Sequence, residues 1–248
     1  MKAMVLAAGL GTRLRPLTDD RPKALVEVAG RTLLEITLAR LRSVGIGEVI
    51  VNVHHFADLV VDYLRTQGNF GMRIEISRED ILLDTGGGLK KAAPFFLEAS
   101  SSSDEPFLLH NVDVVSSIDL QRMLQFHLDH QALATLAVQE RPTSRPLLFD
   151  QQLQLCGRCT GSEQTTELVR PAGRLQSLAF TGIHVISPRI FSLLSEAGVF
   201  PIIPSYLRLA GQGEPLLAFR ADEYYWRDLG RPEHLAQAEN DFANKLFQ

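Results

Sequence analysis

The sequence predicts an α/β chain: a mostly parallel sheet flanked by helices, in a single domain spanning residues 1–248. Two observations carry this. Strand-length apolar runs alternate with stretches of helical period, and the first run opens directly into a glycine-rich loop, as in a βαβ unit. The length agrees, because 248 residues can bury a substantial core as one domain and are few for two.

Lys2 to Ala8 and Glu48 to Val53 read as strands. Thr32 to Val44 between them carries Leu33, Ile36, Leu38, Leu41 and Val44 at helical spacing, so the order strand, loop, helix, strand implies parallel pairing. Phe56 to Arg65 continues as helix, Met72 to Ile76 as strand, Gly87 to Glu98 as helix and Phe107 to Leu109 as strand. A serine run at residues 100–103 reads as a flexible connector. Leu120 to His130 reads as helix and Ala134 to Gln139 as strand. Near residue 140 the texture changes. Arg141-Pro142-Thr143-Ser144-Arg145-Pro146 interrupts the periodicity, Leu147 to Leu155 reads as a hairpin, and Gly157 to Arg174 is polar and is assigned no regular structure. Ser177 to Ile186 then reads as strand, Pro188 to Ser195 as helix with proline in its first turn, and Pro232 to Leu246 as the closing helix.

Residues 6 to 23, LAAGLGTRLRPLTDDRPK, are the most informative segment. Leu6, Ala7, Ala8, Gly9, Gly11 and Thr12 form a small-residue loop that a ligand can approach closely, with backbone amides available to phosphate oxygens. Arg13 and Lys23 add fixed positive charge, which amides alone do not supply against a triphosphate. A dinucleotide fingerprint is excluded because Leu14 stands where the third glycine belongs. A Walker loop is excluded because the chain has no Gly-Lys-Ser or Gly-Lys-Thr. The alternative is a plain strand-to-helix turn.

Charged residues make up 22% of the chain and the net charge is −4, so no basic field points to nucleic acid or to an anionic membrane. The apolar N-terminal run is broken by Gly9, Gly11 and Arg13, and no transmembrane-length apolar stretch follows. A cytoplasmic protein, monomeric or a small homo-oligomer, is expected. The two cysteines, Cys156 and Cys159, lack the partners of a zinc site and read as two thiols on a surface hairpin.

Three motifs resemble those of the sugar-1-phosphate nucleotidylyltransferases. Leu6 to Leu14 with Pro22-Lys23 is similar to the family's L-A-A-G-x-G-T-R-L and P-K. Asn111-Val112-Asp113 follows the apolar run Phe107-Leu108-Leu109, and Trp226-Arg227-Asp228-Leu229-Gly230-Arg231-Pro232-Glu233 is similar to W-x-D-x-G-T-P-E. The resemblance implies a Rossmann-like, GT-A-like fold of the nucleotide-diphospho-sugar transferases, with residues 1–140 as the nucleotide-binding half and 141–248 as the sugar-binding half. It implies an enzyme that joins a nucleoside triphosphate to a sugar 1-phosphate and releases pyrophosphate. Arg13 would hold the pyrophosphate and Lys23 the α-phosphoryl oxygens, while Asp113 and Asp228 would hold Mg²⁺. On the residues alone, Asp113 also fits a strand-end turn or cap beside Ser116, Ser117 and Asp119, and Asp228 a solvated ion pair.

The stretch Glu79 to Leu89 resembles the family's base-reading loop, with Asp84 in place of its first glycine. Glu79, Thr85 and the backbone near Gly87 are the candidates there, with a plain glycine-rich helix lead as the alternative. Its D-T-G-G-G form looks most like the N-acetylmuramate-1-phosphate uridylyltransferase branch, which favours UTP. A mannose-1-phosphate or heptose-1-phosphate guanylyltransferase is the alternative. Asn111 and Gly182 are the sugar-side candidates, with Gly182 opening the backbone to a sugar hydroxyl. The family's Glu-Lys-Pro lysine is missing, Cys156-Gly157-Arg158-Cys159 standing in its place, so Arg158 or Arg145 is the expected substitute. His54, His55 and His110 are placed at strand ends facing the crevice, as polar loop residues or sugar contacts. A non-catalytic nucleotide-sugar-binding regulator is the alternative of another class. It would be marked by loss of Arg13, Lys23 or a metal aspartate, and all four are present.

Overall fold

In the computed structural model, which describes residues 1–98, 105–160 and 165–247, the first apolar run becomes β1 (Lys2–Leu6) at the middle of the parallel block. It is buried on both faces. Ala3 and Val5 pack with Leu33, Leu34, Leu38 and Leu41, while Met4 packs on the opposite face with Leu89, Phe107 and Leu109. Burial on both faces is why the run reads as continuously apolar. After the glycine loop, a small ribbon of β2 (Glu27–Val28) and β3 (Arg31–Thr32) leads into α1 (Leu33–Ser43). Thr32 caps that helix, its Oγ1 accepting from the Glu35 amide at 3.0 Å. β4 (Glu48–Val53), α2 (Ala57–Thr66) and β5 (Arg73–Arg78) follow, and β1, β4 and β5 pair in parallel as the sequence predicts.

The helix expected over 87–98 starts earlier, as α3 (Asp84–Lys91), and is replaced after Ala92 by α4 (Ala93–Leu97). Pro94 explains the break, because it lacks an amide and fits only a first turn. The serine run at 100–103 lies outside the described residues. β6 (Phe107–Asn111) pairs in parallel with the other edge of β1, and β7 (Val114–Ser116) and α5 (Leu120–Asp129) lead to β8 (Ala134–Gln139). The chain thus runs from β1 towards β4 on one side and returns to β6 on the other. The glycine loop and Asn111-Val112-Asp113 leave the C-terminal ends of the two strands at this switch point, where open α/β sheets bind ligands.

The second half adds β9 (Leu147–Phe149), β10 (Leu155–Thr160) and β11 (Thr165–Leu168), paired antiparallel. The polar stretch assigned no regular structure therefore contains an edge pair. β11 is exposed along its whole length, so it carries no apolar alternation to read. Cys156 and Cys159 are free but buried, correcting the surface-hairpin expectation, since β10 lies inside the sheet between β9 and β11. β12 (Gln176–Ile186) runs antiparallel to β6, β8 and β9 and ties the two halves into one sheet. The short α6 (Ile190–Leu193), α7 (Ile202–Gly211), β13 (Leu216–Arg220), β14 (Trp226–Asp228) and α8 (Pro232–Ala243) complete the described chain. β13 joins the sheet beside β8, and β14 pairs with β7 apart from it. Among the described residues, no helix is long and apolar enough to cross a membrane.

Candidate functional site

A cavity of about 460 Å³ opens at the C-terminal ends of β1 and β6. Leu6, Ala7, Ala8, Gly9, Gly11, Thr12 and Arg13 line it from the glycine loop, Glu79 and Thr85 from the lead into α3, and Lys23, Asn111 and Asp113 from its floor. Gly230, two residues beyond Asp228, closes one side. Gly87 and Gly182 do not line it.

The loop is held by contacts within the chain. Gly11 has φ +66°, and a Cβ there would lie 3.0 Å from Thr18 Cγ2 and 3.1 Å from Lys23 Cβ, so this glycine is fixed by its own chain as much as by any ligand. Thr18 Oγ1 donates to the Gly11 carbonyl at 2.9 Å. The Ala7 amide donates to Asn52 Oδ1 at 2.8 Å and is therefore already partnered. Asn52, near the end of β4, also donates through Nδ2 to Glu79 Oε1 at 2.7 Å, linking the glycine loop to the lead into α3. Sequence reasoning missed Asn52. Its signal is a polar residue set among the valines at the end of an apolar run.

The charged groups converge at Gly230. Lys23 Nζ is ion-paired with Asp113 Oδ2. Asp228 Oδ1 accepts from the Gly230 amide at 2.8 Å, and the Leu229 amide donates to the Asp113 carbonyl at 2.7 Å. β14 sets Asp228 opposite Val114 of β7, so the two aspartates sit on adjoining backbones. A Cβ built on Gly230 would fall 2.8 Å from Asp228 Oδ1 and 3.2 Å from both Arg13 Nη2 and Lys23 Nζ. Both cations and the second aspartate thus surround one point. Among the described residues, no cluster of three or more His, Cys, Asp or Glu could hold a metal ion. Two carboxylates suit a hard cation that takes its remaining oxygens from phosphates and water.

On the base side, Glu79 is buried and its carboxylate is already engaged. Oε1 accepts from Asn52, and Oε2 accepts from the Leu83 amide at 2.9 Å. Thr85 Oγ1 accepts from the Ile202 amide at 2.9 Å, tying α3 to α7. Gly87 departs from its expected role. Its amide donates to the Phe200 carbonyl at 3.1 Å, and a Cβ there would lie 2.4 Å from the Gly198 carbonyl oxygen. Close helix packing, not an open backbone, is what requires this glycine.

In β12, Gly182 lies buried beneath Asn111, where a Cβ would approach the Asn111 Nδ2 to 2.7 Å, so its backbone is covered rather than open to the expected sugar hydroxyl. His110 does not face the crevice: it is buried, with Nδ1 at 2.7 Å from the Asn111 carbonyl, and burial lowers its pKa to about 4. His54 Nδ1 meets the Glu79 carbonyl at 2.8 Å, and His55 is exposed against Phe56. Arg158 is engaged with Glu167 on the sheet edge at 2.7 Å, and Arg145 lies exposed in its loop; neither lines the cavity.

With this geometry in place, the comparisons with known proteins converge. Residues 2–149 match the family described as nucleotidyl transferase. The chain is similar to the N-acetylmuramate alpha-1-phosphate uridylyltransferase of Caulobacter vibrioides, 37% identical, over 96% of this chain and 95% of that protein. It is also similar to the mannose-1-phosphate guanylyltransferase 1 of Arabidopsis thaliana, 29% identical, over 94% of this chain but only 62% of that protein's length. Among solved structures, HddC from Yersinia pseudotuberculosis complexed with GMP-PN superposes with a TM-score of 0.74 at 22% identity, covering 97% of this chain and 99% of that one, which establishes the shared fold. The match over residues 2–149, together with a relative 37% identical over nearly the whole of both chains, places the chain in the nucleotidyl transferase family.

Proposed function

We propose that the protein is a sugar-1-phosphate uridylyltransferase that uses UTP, an N-acetylmuramate-type sugar 1-phosphate and Mg²⁺. The observation that carries this reading is the convergence of Arg13, Lys23, Asp113 and Asp228 around Gly230. The choice of sugar and base rests on the similarity to the Caulobacter vibrioides protein over nearly the full length of both chains.

In the reaction, an oxygen of the sugar phosphate attacks the α-phosphorus of UTP. The bond from that phosphorus to the β-phosphate oxygen breaks, and its electron pair leaves with pyrophosphate. The attacking oxygen is already deprotonated at neutral pH, so no protein base is needed. Two anions must meet, and Lys23 offsets their repulsion at the α-phosphoryl oxygens while Arg13 holds the departing pyrophosphate. The ion pair with Asp113 keeps the Lys23 ammonium fixed before substrate arrives. Asp113 and Asp228 would hold Mg²⁺, which when bound neutralises charge on the reacting phosphates. Glu79 and Asn52 act by position, holding the Leu83–Thr85 segment and the Ala7 amide in fixed relation.

The test is pyrophosphate release with Mg²⁺ across the four ribonucleoside triphosphates and dTTP, each against N-acetylmuramate, mannose and glucose 1-phosphates. The expected result is highest turnover with UTP and N-acetylmuramate 1-phosphate. Preference for GTP with mannose 1-phosphate would move the protein to the guanylyltransferase reading, which the Arabidopsis relative favours. Nucleotide binding without turnover of any pair would favour a regulator.

A further inference from the structure

The sugar half carries one cation whose surroundings ask for an anion. Arg141 stacks its guanidinium on Trp226, 3.7 Å from the ring centre, and donates through Nη2 to the Phe180 carbonyl at 2.9 Å. Its Nε is buried with no acceptor, and among the described residues no carboxylate lies within ion-pair distance. Burial lowers its pKa, and the acidic group whose field reaches it is Asp228. The guanidinium is half-buried, and the one acidic group acting on it, Asp228, lies outside ion-pair distance, so it keeps the capacity to take an anion.

The placement says which ligand. Trp226 and Asp228 are alternate residues of β14, so their side chains leave the same face, roughly 7 Å apart along the strand. The ring that carries Arg141 is thus next to the aspartate assigned to the metal. Trp226 is itself held by its indole Nε1, which donates to the Thr181 carbonyl at 2.8 Å. The guanidinium is therefore fixed on two sides, by the ring and by the β12 backbone. Arg141, like Arg158 and Arg145, lies outside the cavity lining, but Arg158 is paired with Glu167 and Arg145 is exposed, whereas Arg141 sits on the ring next to Asp228.

We propose that Arg141 binds the phosphate of the incoming sugar 1-phosphate, supplying from the start of the loop after β8 the cation that the Cys156-Gly157-Arg158-Cys159 segment does not. This rests on the uridylyltransferase reading for the identity of the sugar, but not for the binding of the phosphate. Arginine suits the task because its planar fork grips two phosphate oxygens while one face stays stacked on the indole.

The chain's only tryptophan is the one beneath this guanidinium, which gives a readout independent of turnover. Trp226 fluorescence is titrated with N-acetylmuramate 1-phosphate and with N-acetylglucosamine 1-phosphate, in the presence of Mg²⁺ and the unreactive α,β-methylene-UTP. Wild type is expected to give a saturable change with both sugars and Arg141→Met with neither. In steady state, Arg141→Met should raise KM for the sugar 1-phosphate by about 10²-fold, as expected for removing one partner of a buried charge pair, with KM for UTP within about 2-fold. Arg141→Lys should restore part of the loss. A sugar-phosphate KM unchanged in Arg141→Met overturns the proposal. A loss confined to N-acetylmuramate 1-phosphate also overturns it, because the guanidinium would then be reading that sugar's carboxylate. If wild type turns over neither sugar, the uridylyltransferase reading fails while the fluorescence titration still decides the role of Arg141.

Discussion

Lys23 and Asp113 are ion-paired across 90 residues of sequence, joining the end of the glycine loop to the turn after β6. Their side chains are only 9% and 18% exposed, so water does little to replace either partner. Lys23→Ala removes the charge proposed to hold the α-phosphate and also leaves Asp113 without its counter-charge. Turnover is expected to fall on the order of 10²- to 10³-fold, with a similar loss for Arg13→Ala, measured as pyrophosphate release at saturating substrates. Near-full turnover in Lys23→Ala would remove the lysine from the mechanism.

Gly230→Ala separates geometry from stability. The new Cβ meets the far ends of Arg13, Lys23 and Asp228, which are movable, so the fold should lose less than about 1 kcal/mol and Tm should shift by no more than about 2–4 °C. The same displacement moves three charges to which the proposed mechanism gives roles, and a misplacement approaching 1 Å costs up to about 10²-fold in rate. A stable but strongly impaired enzyme is the expected outcome, checked by thermal unfolding alongside kcat.

Gly9 and Gly87 should behave in opposite ways. Nothing lies within 4 Å of a Cβ at Gly9, which lines the cavity, so Gly9→Ala leaves stability unchanged and, on the proposed function, raises KM for UTP. At Gly87 the methyl meets the Gly198 carbonyl oxygen at 2.4 Å, and the overpacking should cost about 1–3 kcal/mol. Urea unfolding midpoints distinguish the two.

Acid should weaken the fold before its carboxylates titrate. Burial lowers the pKa of His110 and His127 to about 4 and of His184 to about 3, against an ordinary value of 6.5. Above pH 6.5 these groups are neutral in both folded and unfolded chains and the stability is fully present. Below it the unfolded chain takes up protons that the folded chain refuses, so stability falls from pH 6.5 to about 4 through His110 and His127 and on to about 3 through His184. Denaturant midpoints across this range should drop in wild type and drop less in His184→Asn, whose loss of the bond to Tyr206 lowers the whole curve without steepening it.

The early βα rhythm was legible because each element there carries its own signal: apolar strands, a helix capped by Thr32, and a glycine loop with its charges. α7 was not, because it opens on Pro201-Ile202-Ile203-Pro204, and prolines that read as breakers sit in a first turn that needs no amide donors. β11 was hidden by its polarity as an edge strand. At the site, the glycines announced close approach but not what approaches: a carbonyl of residue 198 at Gly87, and the Asn111 amide at Gly182. Asn52 and Arg141 carry no motif, and their meaning comes from which strands bring them beside the loop and the tryptophan.

β12 has a consequence for any attempt to divide this protein. Among the described residues, it is the only strand pairing β6 with the later half, and β8 finds its partners in β12 and β13 alone. A fragment ending near residue 140 would present β6 as a bare apolar edge and leave β8 with nothing to pair against, inviting self-association rather than folding. Both halves of the chain belong to one sheet, and two pieces made separately should recover activity only when they assemble together from the unfolded state.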